Sequence, residues 1–120
     1  MKTVIIADDN LLIAESIKNY IELLNYKVIK ICRNNKEIIL EMEKNIPDII
    51  FLDISMESET DGIETCKEIK KLYKSVFVIF LTGYPIETLK DELKNIKYDG
   101  FLEKPVSFDT LKKTLRSLMV

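Results

Sequence analysis

Four of the chain's apolar runs end in side chains able to do chemistry. Val4-Ile5-Ile6-Ala7 is followed by Asp8-Asp9, Ile49-Ile50-Phe51-Leu52 by Asp53, and Val78-Ile79-Phe80-Leu81 by Thr82, while Phe101-Leu102 leads into Glu103-Lys104-Pro105. If these ends meet, three carboxylates, a hydroxyl and an ammonium share one place. Singly, each has an ordinary structural use: Asp9 or Asn10 as a helix cap, Asp53 in a turn, Thr82 as a cap, Lys104 as a solvated charge. Unrelated caps, however, give no reason for three acids, one hydroxyl and one lysine to fall at neighbouring ends. Clustered carboxylates repel one another, and a cation must offset that repulsion. The chain has no histidine and only two cysteines, Cys32 and Cys66, with no third ligand beside them, so the ligands on offer are oxygens. An oxygen-only set suits a hard ion, and Mg2+ is the natural candidate. An aspartate held beside Mg2+ and a lysine is a nucleophile toward phosphorus, because both cations offset charge on the transferring phosphoryl group.

Composition narrows the alternatives. Without histidine, a Ser-His-Asp or Cys-His nucleophile pair, a His-ligated zinc and a histidine base are excluded. The 18 Lys+Arg nearly balance 20 Asp+Glu, leaving no electrostatic footprint for nucleic acid or an anionic membrane. No apolar run approaches a membrane span or a signal-peptide core, so the expectation is a cytoplasmic protein without membrane contact. Cys32 and Cys66 are expected as reduced thiols packed as small hydrophobes. A length of 120 residues suits a single domain, residues 1–120, and 47% apolar residues suffice for an ordinary core.

Strands and helices must position the polar ends. Five apolar runs of strand length, Thr3 to Ala7, Lys27 to Cys32, Asp48 to Leu52, Phe77 to Leu81 and Gly100 to Leu102, are rich in Val, Ile and Phe. Several are continuous rather than alternating, as strands buried on both faces by helices are. Between them lie helical stripes: Ala14, Ile17, Ile21 and Leu24; Ile63, Cys66, Ile69 and Tyr73; Ile86, Leu89, Leu93 and Ile96; Phe108, Leu111, Leu115 and Leu118. The segment Lys36 to Asn45 is a further helix on the strength of Ile38, Ile39 and Met42, and Pro47 is its stop signal. The alternation predicts an α/β fold, a three-layer (βα)5 flavodoxin-like sandwich around a five-stranded parallel sheet. In such a sheet ligands bind beyond the carboxyl ends of the strands, where the polar residues fall.

The ordered set Asp8-Asp9, Asp53, Asp61-Gly62, Thr82, Phe101 and Lys104-Pro105 resembles the receiver domain of two-component response regulators, over essentially the whole chain. The resemblance implies that Asp53 is the phosphoacceptor. It implies Mg2+ ligated by Asp9, Asp53 and the Ser55 backbone carbonyl, with Asp8 acting mainly through water. It further implies that Lys104 pairs with the phosphoryl oxygens, that Thr82 donates its hydroxyl to them, that Phe101 is the aromatic switch, and that Lys104-Pro105 is a cis peptide. The partners implied are a sensor histidine kinase or phosphotransfer protein and an unknown downstream protein, met by a monomer or a weak phosphorylation-linked dimer. Output would run through roughly Glu87 to Asn95 and Phe101 to Leu118. On this reading the chain is a single-domain regulator, or a piece of a longer protein, and not an enzyme beyond catalysing its own phosphorylation and dephosphorylation.

Two features depart from the family pattern. Glu57, not proline, follows Met56, and the stretch from Asp53 to Asp61-Gly62 is one residue longer than usual. The acidic tip, Glu57-Ser58-Glu59-Thr60-Asp61, is expected to be solvated, with Glu57 and Glu59 as minor candidates for the metal. Two other classes compete. A small Mg2+-dependent phosphohydrolase would need a second acid two residues after its nucleophile, where this chain has Ser55. A flavodoxin-like module binding a nucleotide or flavin would need a phosphate-cradling loop, yet no glycine precedes Gly62; in its unphosphorylated form such a module would serve only for protein interaction.

Overall fold

The computed structural model describes residues 1–56 and 61–118. Its strands are β1 (Thr3–Ala7), β2 (Lys27–Cys32), β3 (Ile49–Asp53), β4 (Phe77–Thr82) and β5 (Gly100–Glu103). They form one parallel sheet in the order β2-β1-β3-β4-β5. The helices are α1 (Leu11–Leu23), α2 (Asn35–Lys44), α3 (Asp61–Leu72), α4 (Lys90–Leu93) and α5 (Phe108–Leu118). This is the (βα)5 flavodoxin-like fold.

Alternate residues of the sheet face two separate cores. On one face Ile5, Ala7, Ile50, Leu52, Val78 and Phe80 pack against Ile38 and Met42 of α2 and Ile63, Cys66 and Ile69 of α3. On the other, Val4, Ile6, Ile49, Phe51, Ile79 and Leu81 meet Ala14, Ile17 and Ile21 of α1 and Leu111 and Leu115 of α5. Helices cover both faces, which is why β1, β3 and β4 carry the uninterrupted apolar runs Val4–Ala7, Ile49–Leu52 and Phe77–Leu81. The edge strands β2 and β5 are only half-buried, and Lys27 and Lys30 keep the β2 edge charged. Cys32 and Cys66 are buried and unbridged. Burial pushes the Cys32 thiol up to about 12 and the Cys66 thiol to about 11, so both stay protonated and inert.

Three caps fix where helices begin and end. Asn10 Oδ1 accepts from Ile13 N at 3.2 Å and Asn34 Oδ1 from Glu37 N at 2.9 Å. Asn25 ends α1 in a left-handed conformation, φ 68°.

The stripe Ile86, Leu89, Leu93 and Ile96 does not form one continuous helix, contrary to the sequence expectation. Ile86–Leu89 is a 3-10 turn and α4 is a single turn. The cause lies at both ends. The Pro85 carbonyl accepts from Thr88 N at 3.0 Å and from the Thr88 hydroxyl at 2.7 Å, which tightens the start to an i to i+3 pattern. Ile96 N likewise bonds Leu93 O at 3.1 Å. Only Leu93 of the four is buried. Strand and helix limits elsewhere agree to within a residue, β3, β4 and β5 each running one residue further, to Asp53, Thr82 and Glu103. No helix among the described residues is long and apolar enough to cross a membrane.

Candidate functional site

The carboxyl edge of the sheet gathers Asp8 and Asp9 after β1, Asp53 at the end of β3 and Lys104 after β5. One carboxylate oxygen from each of Asp8, Asp9 and Asp53 lies within 4.8 Å of the others. The order of the strands explains it: β1 and β3 are neighbours, with Ala7 beside Leu52, so their last residues emerge together. Lys104 reaches over from the sheet's edge, its Nζ 2.9 Å from Asp8 Oδ2 and 3.3 Å from Asp53 Oδ2. The Lys104-Pro105 peptide bond is cis.

Burial makes this cluster costly. The Asp8 side chain is fully buried and that of Asp53 is 5% exposed. Burial pushes the Asp53 carboxyl up, to about 6. The Ser55 backbone N–H lowers it, the Asp8 charge raises it, and Lys104 lowers it in part. Burial lowers the Lys104 ammonium, but the Asp8 and Asp53 carboxylates outweigh that and hold it above its ordinary value. Asp8 Oδ1 accepts from Asn10 N at 2.9 Å. Its Oδ2 faces the ammonium as an ion pair, yet no donor among the described residues is aligned for a hydrogen bond to it. A buried, under-bonded carboxylate oxygen beside two further carboxylates is what a hard divalent ion would satisfy, and the donor set fits Mg2+.

The β3–α3 connection is tied closely around Asp53. Asp53 Oδ1 accepts from Ser55 N at 3.0 Å, the Ile54 carbonyl accepts from Gly62 N at 2.8 Å, and Asp61 Oδ1 accepts from Met56 N at 2.8 Å. A Cβ on Gly62 would overlap the Asp53 carbonyl oxygen and come within 2.6 Å of the Ile54 Cα, so only glycine fits this approach.

Thr82 is buried at the end of β4, one residue beyond Leu81, the partner of Asp53 in the sheet, but its hydroxyl is turned to its own loop. It donates to the Tyr84 carbonyl at 2.9 Å and accepts from Tyr84 N at 3.0 Å. Phe101 on β5 is 38% exposed and flanks an open groove with Ile86, Leu93 and Tyr98. The structure thus brings Asp8, Asp9, Asp53 and Lys104 together, with Ser55 bonded to Asp53. The Thr82 hydroxyl is held by its own loop, and Phe101 faces the groove. Glu57 and Glu59 lie outside the described residues.

Two ties were not anticipated from sequence. Glu103 Oε2 accepts from Ile86 N at 3.0 Å, clamping the start of the 3-10 turn to the end of β5. Lys70 bonds the Val76 carbonyl at 2.8 Å and pairs with Asp99 at 2.6 Å, closing the opposite edge of the sheet. Neither has a local sequence signal, because each joins residues that only the fold makes neighbours.

The model of the response regulator receiver domain family matches residues 4–116. Among curated relatives, the transcriptional regulatory protein ZraR of Klebsiella oxytoca is 31% identical over 113 residues, which cover 93% of this chain and 25% of that protein. Most of ZraR thus lies outside the match, and the chain spans about half, 54%, of the Bacillus subtilis regulator YdfI. Among solved structures, Vibrio cholerae chemotaxis protein CheY4 superposes with a TM-score of 0.86 at 28% identity, covering 98% of each chain. The response regulator TrrA of Thermotoga maritima, solved in complex with Mg2+-BeF, gives 0.85 at 28% identity, covering 98% of this chain and 99% of that one.

Proposed function

We propose that this chain, which belongs to the response regulator receiver domain family, takes a phosphoryl group onto the Asp53 carboxylate from a histidine kinase or phosphotransfer protein and thereby changes its binding to a downstream protein. Receiver domains are signalling modules of two-component systems. The observation that carries the finer reading is the placement of Asp53, buried and under-neutralised, with the Lys104 ammonium 3.3 Å away and two further carboxylates beside it.

Asp9, Asp53 and the Ser55 carbonyl would hold Mg2+, with Asp8 acting through water. Bound there, the ion would offset charge on the transferring phosphoryl group. The remaining work falls to side chains. The Asp53 carboxylate attacks phosphorus as the bond from phosphorus to the donor's imidazole nitrogen breaks, and that nitrogen keeps the electron pair. Ser55 N–H holds one Asp53 oxygen and Lys104 the other, which fixes the carboxylate's orientation for attack. Lys104 then follows the new phosphoryl oxygens, and Thr82 exchanges the Tyr84 backbone for them. Space vacated by Thr82 admits Phe101, and the surface of the 3-10 turn, α4, β5 and α5 changes with it. Three features support this reading over a phosphohydrolase: Ser55 in place of a second acid, the family match, and a relative solved with a phosphoryl mimic.

The test is incubation with a small phosphodonor and Mg2+, read by intact mass. The proposed function expects a gain of one phosphoryl group that is abolished by a chelator. A mass unchanged with Mg2+ present overturns it.

A further inference from the structure

The peptide that carries the Ser55 carbonyl is held from a place outside the carboxylate cluster. Asp61 opens α3, and its Oδ1 reaches back to accept from Met56 N at 2.8 Å. Met56 N–H and the Ser55 carbonyl belong to one peptide unit, and the cis bond of this chain is at Lys104-Pro105, not here. In a planar trans peptide the two dipole ends point in opposite directions. A carboxylate that fixes the N–H therefore also fixes where the carbonyl points, which is away from α3. The preceding peptide unit is pinned at both ends as well, its Ile54 carbonyl by Gly62 N and its Ser55 N–H by Asp53 Oδ1. Met56 is 8% exposed, so burial of its side chain further limits rotation of the unit.

We infer that Asp61 is a positioning residue for the metal site, aiming the Ser55 carbonyl at the ion through its hydrogen bond to Met56 N–H. The inference rests on the proposed role of Ser55 as a backbone ligand. An acid in the first turn of a helix also favours the helix dipole, so the bland alternative is a purely structural residue. The two roles separate by chemistry. Positioning needs an acceptor oxygen at the right place, whereas the dipole needs negative charge.

Asp61→Asn keeps the acceptor and removes the charge; Asp61→Ala removes both. Calorimetric titration with MgCl2, alongside the Met56 amide resonance in 1H–15N spectra and melting without Mg2+, reads binding apart from folding. The expected result is that Asp61→Asn keeps most of the wild-type affinity and the Met56 amide shift. Asp61→Ala loses that shift and binds Mg2+ about tenfold or more weakly, the usual cost of removing a group that orients a ligand. Should Asp61→Ala fail to fold, Asp61→Ser, which keeps a good helix-start side chain but whose hydroxyl is one bond too short to stand where Asp61 Oδ1 meets Met56 N, carries the same expectation. Wild-type Mg2+ affinity in the folded truncation variant overturns the inference, as does an equal loss in Asp61→Asn and the truncation. No Mg2+ uptake by the wild-type protein overturns the metal site itself, and the role of Asp61 with it.

Discussion

Gly62 lies so close behind Asp53 that the first turn of α3 leaves no room for a side chain between them: a Cβ there would collide with the Asp53 carbonyl oxygen. A glycine-to-alanine change inside a helix ordinarily stabilises by about 0.5–1 kcal/mol. Here the obstacle is the backbone of Asp53 and Ile54, and overpacking dominates. Gly62→Ala is expected to destabilise by about 2 kcal/mol or more in urea unfolding, and to weaken Mg2+ binding because the connection around Ser55 must shift. A variant as stable as wild type would show that α3 can retreat without cost.

The raised Asp53 carboxyl gives a pH signature. Its folded value of about 6 lies above the ordinary 3.8, so between these values the metal-free folded state holds a proton that the unfolded chain has lost. The stability it contributes is therefore present below about pH 4 and lost as pH rises through 6. Asp53→Asn removes this dependence. Its unfolding free energy is expected to exceed that of metal-free wild type at pH 7, by an amount on the order of 1–3 kcal/mol, and the gap should close toward pH 4. A gap independent of pH would assign the stabilisation to something other than Asp53 ionisation.

Lys104 is the one cation that the described residues place against both buried carboxylates. Lys104→Ala leaves Asp8 and Asp53 facing each other without it, at a cost of about 3–5 kcal/mol in the metal-free protein. An added divalent ion supplies the missing charge, so Mg2+ should raise the melting temperature of Lys104→Ala more than that of wild type. Equal shifts would mean that the ammonium does not offset these carboxylates.

Thr82 and Tyr84 form a latch of two hydrogen bonds on the loop leading to the 3-10 turn. If phosphorylation works by drawing the Thr82 hydroxyl away, Thr82→Ala and Phe101→Ala should leave Asp53 modification largely intact. Both should lose the chemical-shift response to a beryllofluoride mimic along Ile86 to Leu93 and Phe101 to Leu118. A response along that face persisting in both variants would exclude this route of output.

Much of this was legible in the chain itself, for identifiable reasons. Continuous runs such as Val78-Ile79-Phe80-Leu81 announce a strand covered on both faces, and polar residues directly after such runs must emerge at the sheet's carboxyl edge. Asp8, Asp9, Asp53 and Lys104 were readable for that reason. The apolar stripe from Ile86 to Ile96 misled, because periodicity records which side faces the core and not whether Pro85 takes the i+3 or the i+4 amide. The Thr82 latch escaped for a related reason. Its partner is the backbone of Tyr84, and backbone groups carry no sequence signal. Glu103 and Asp61 act through ties to Ile86 and Met56 amides, equally silent until the fold is seen.

Asp53 is the residue proposed to bear the phosphoryl group. Wild-type protein and Asp53→Asn would each be treated with Mg2+ and a small phosphodonor, the acyl phosphate reduced with borohydride, and the peptides mapped by mass spectrometry. The expected result is conversion of Asp53 alone to homoserine in wild type and no modification in Asp53→Asn. Homoserine at Asp8 or Asp9, or a phosphoryl adduct that persists in Asp53→Asn, would contradict the account.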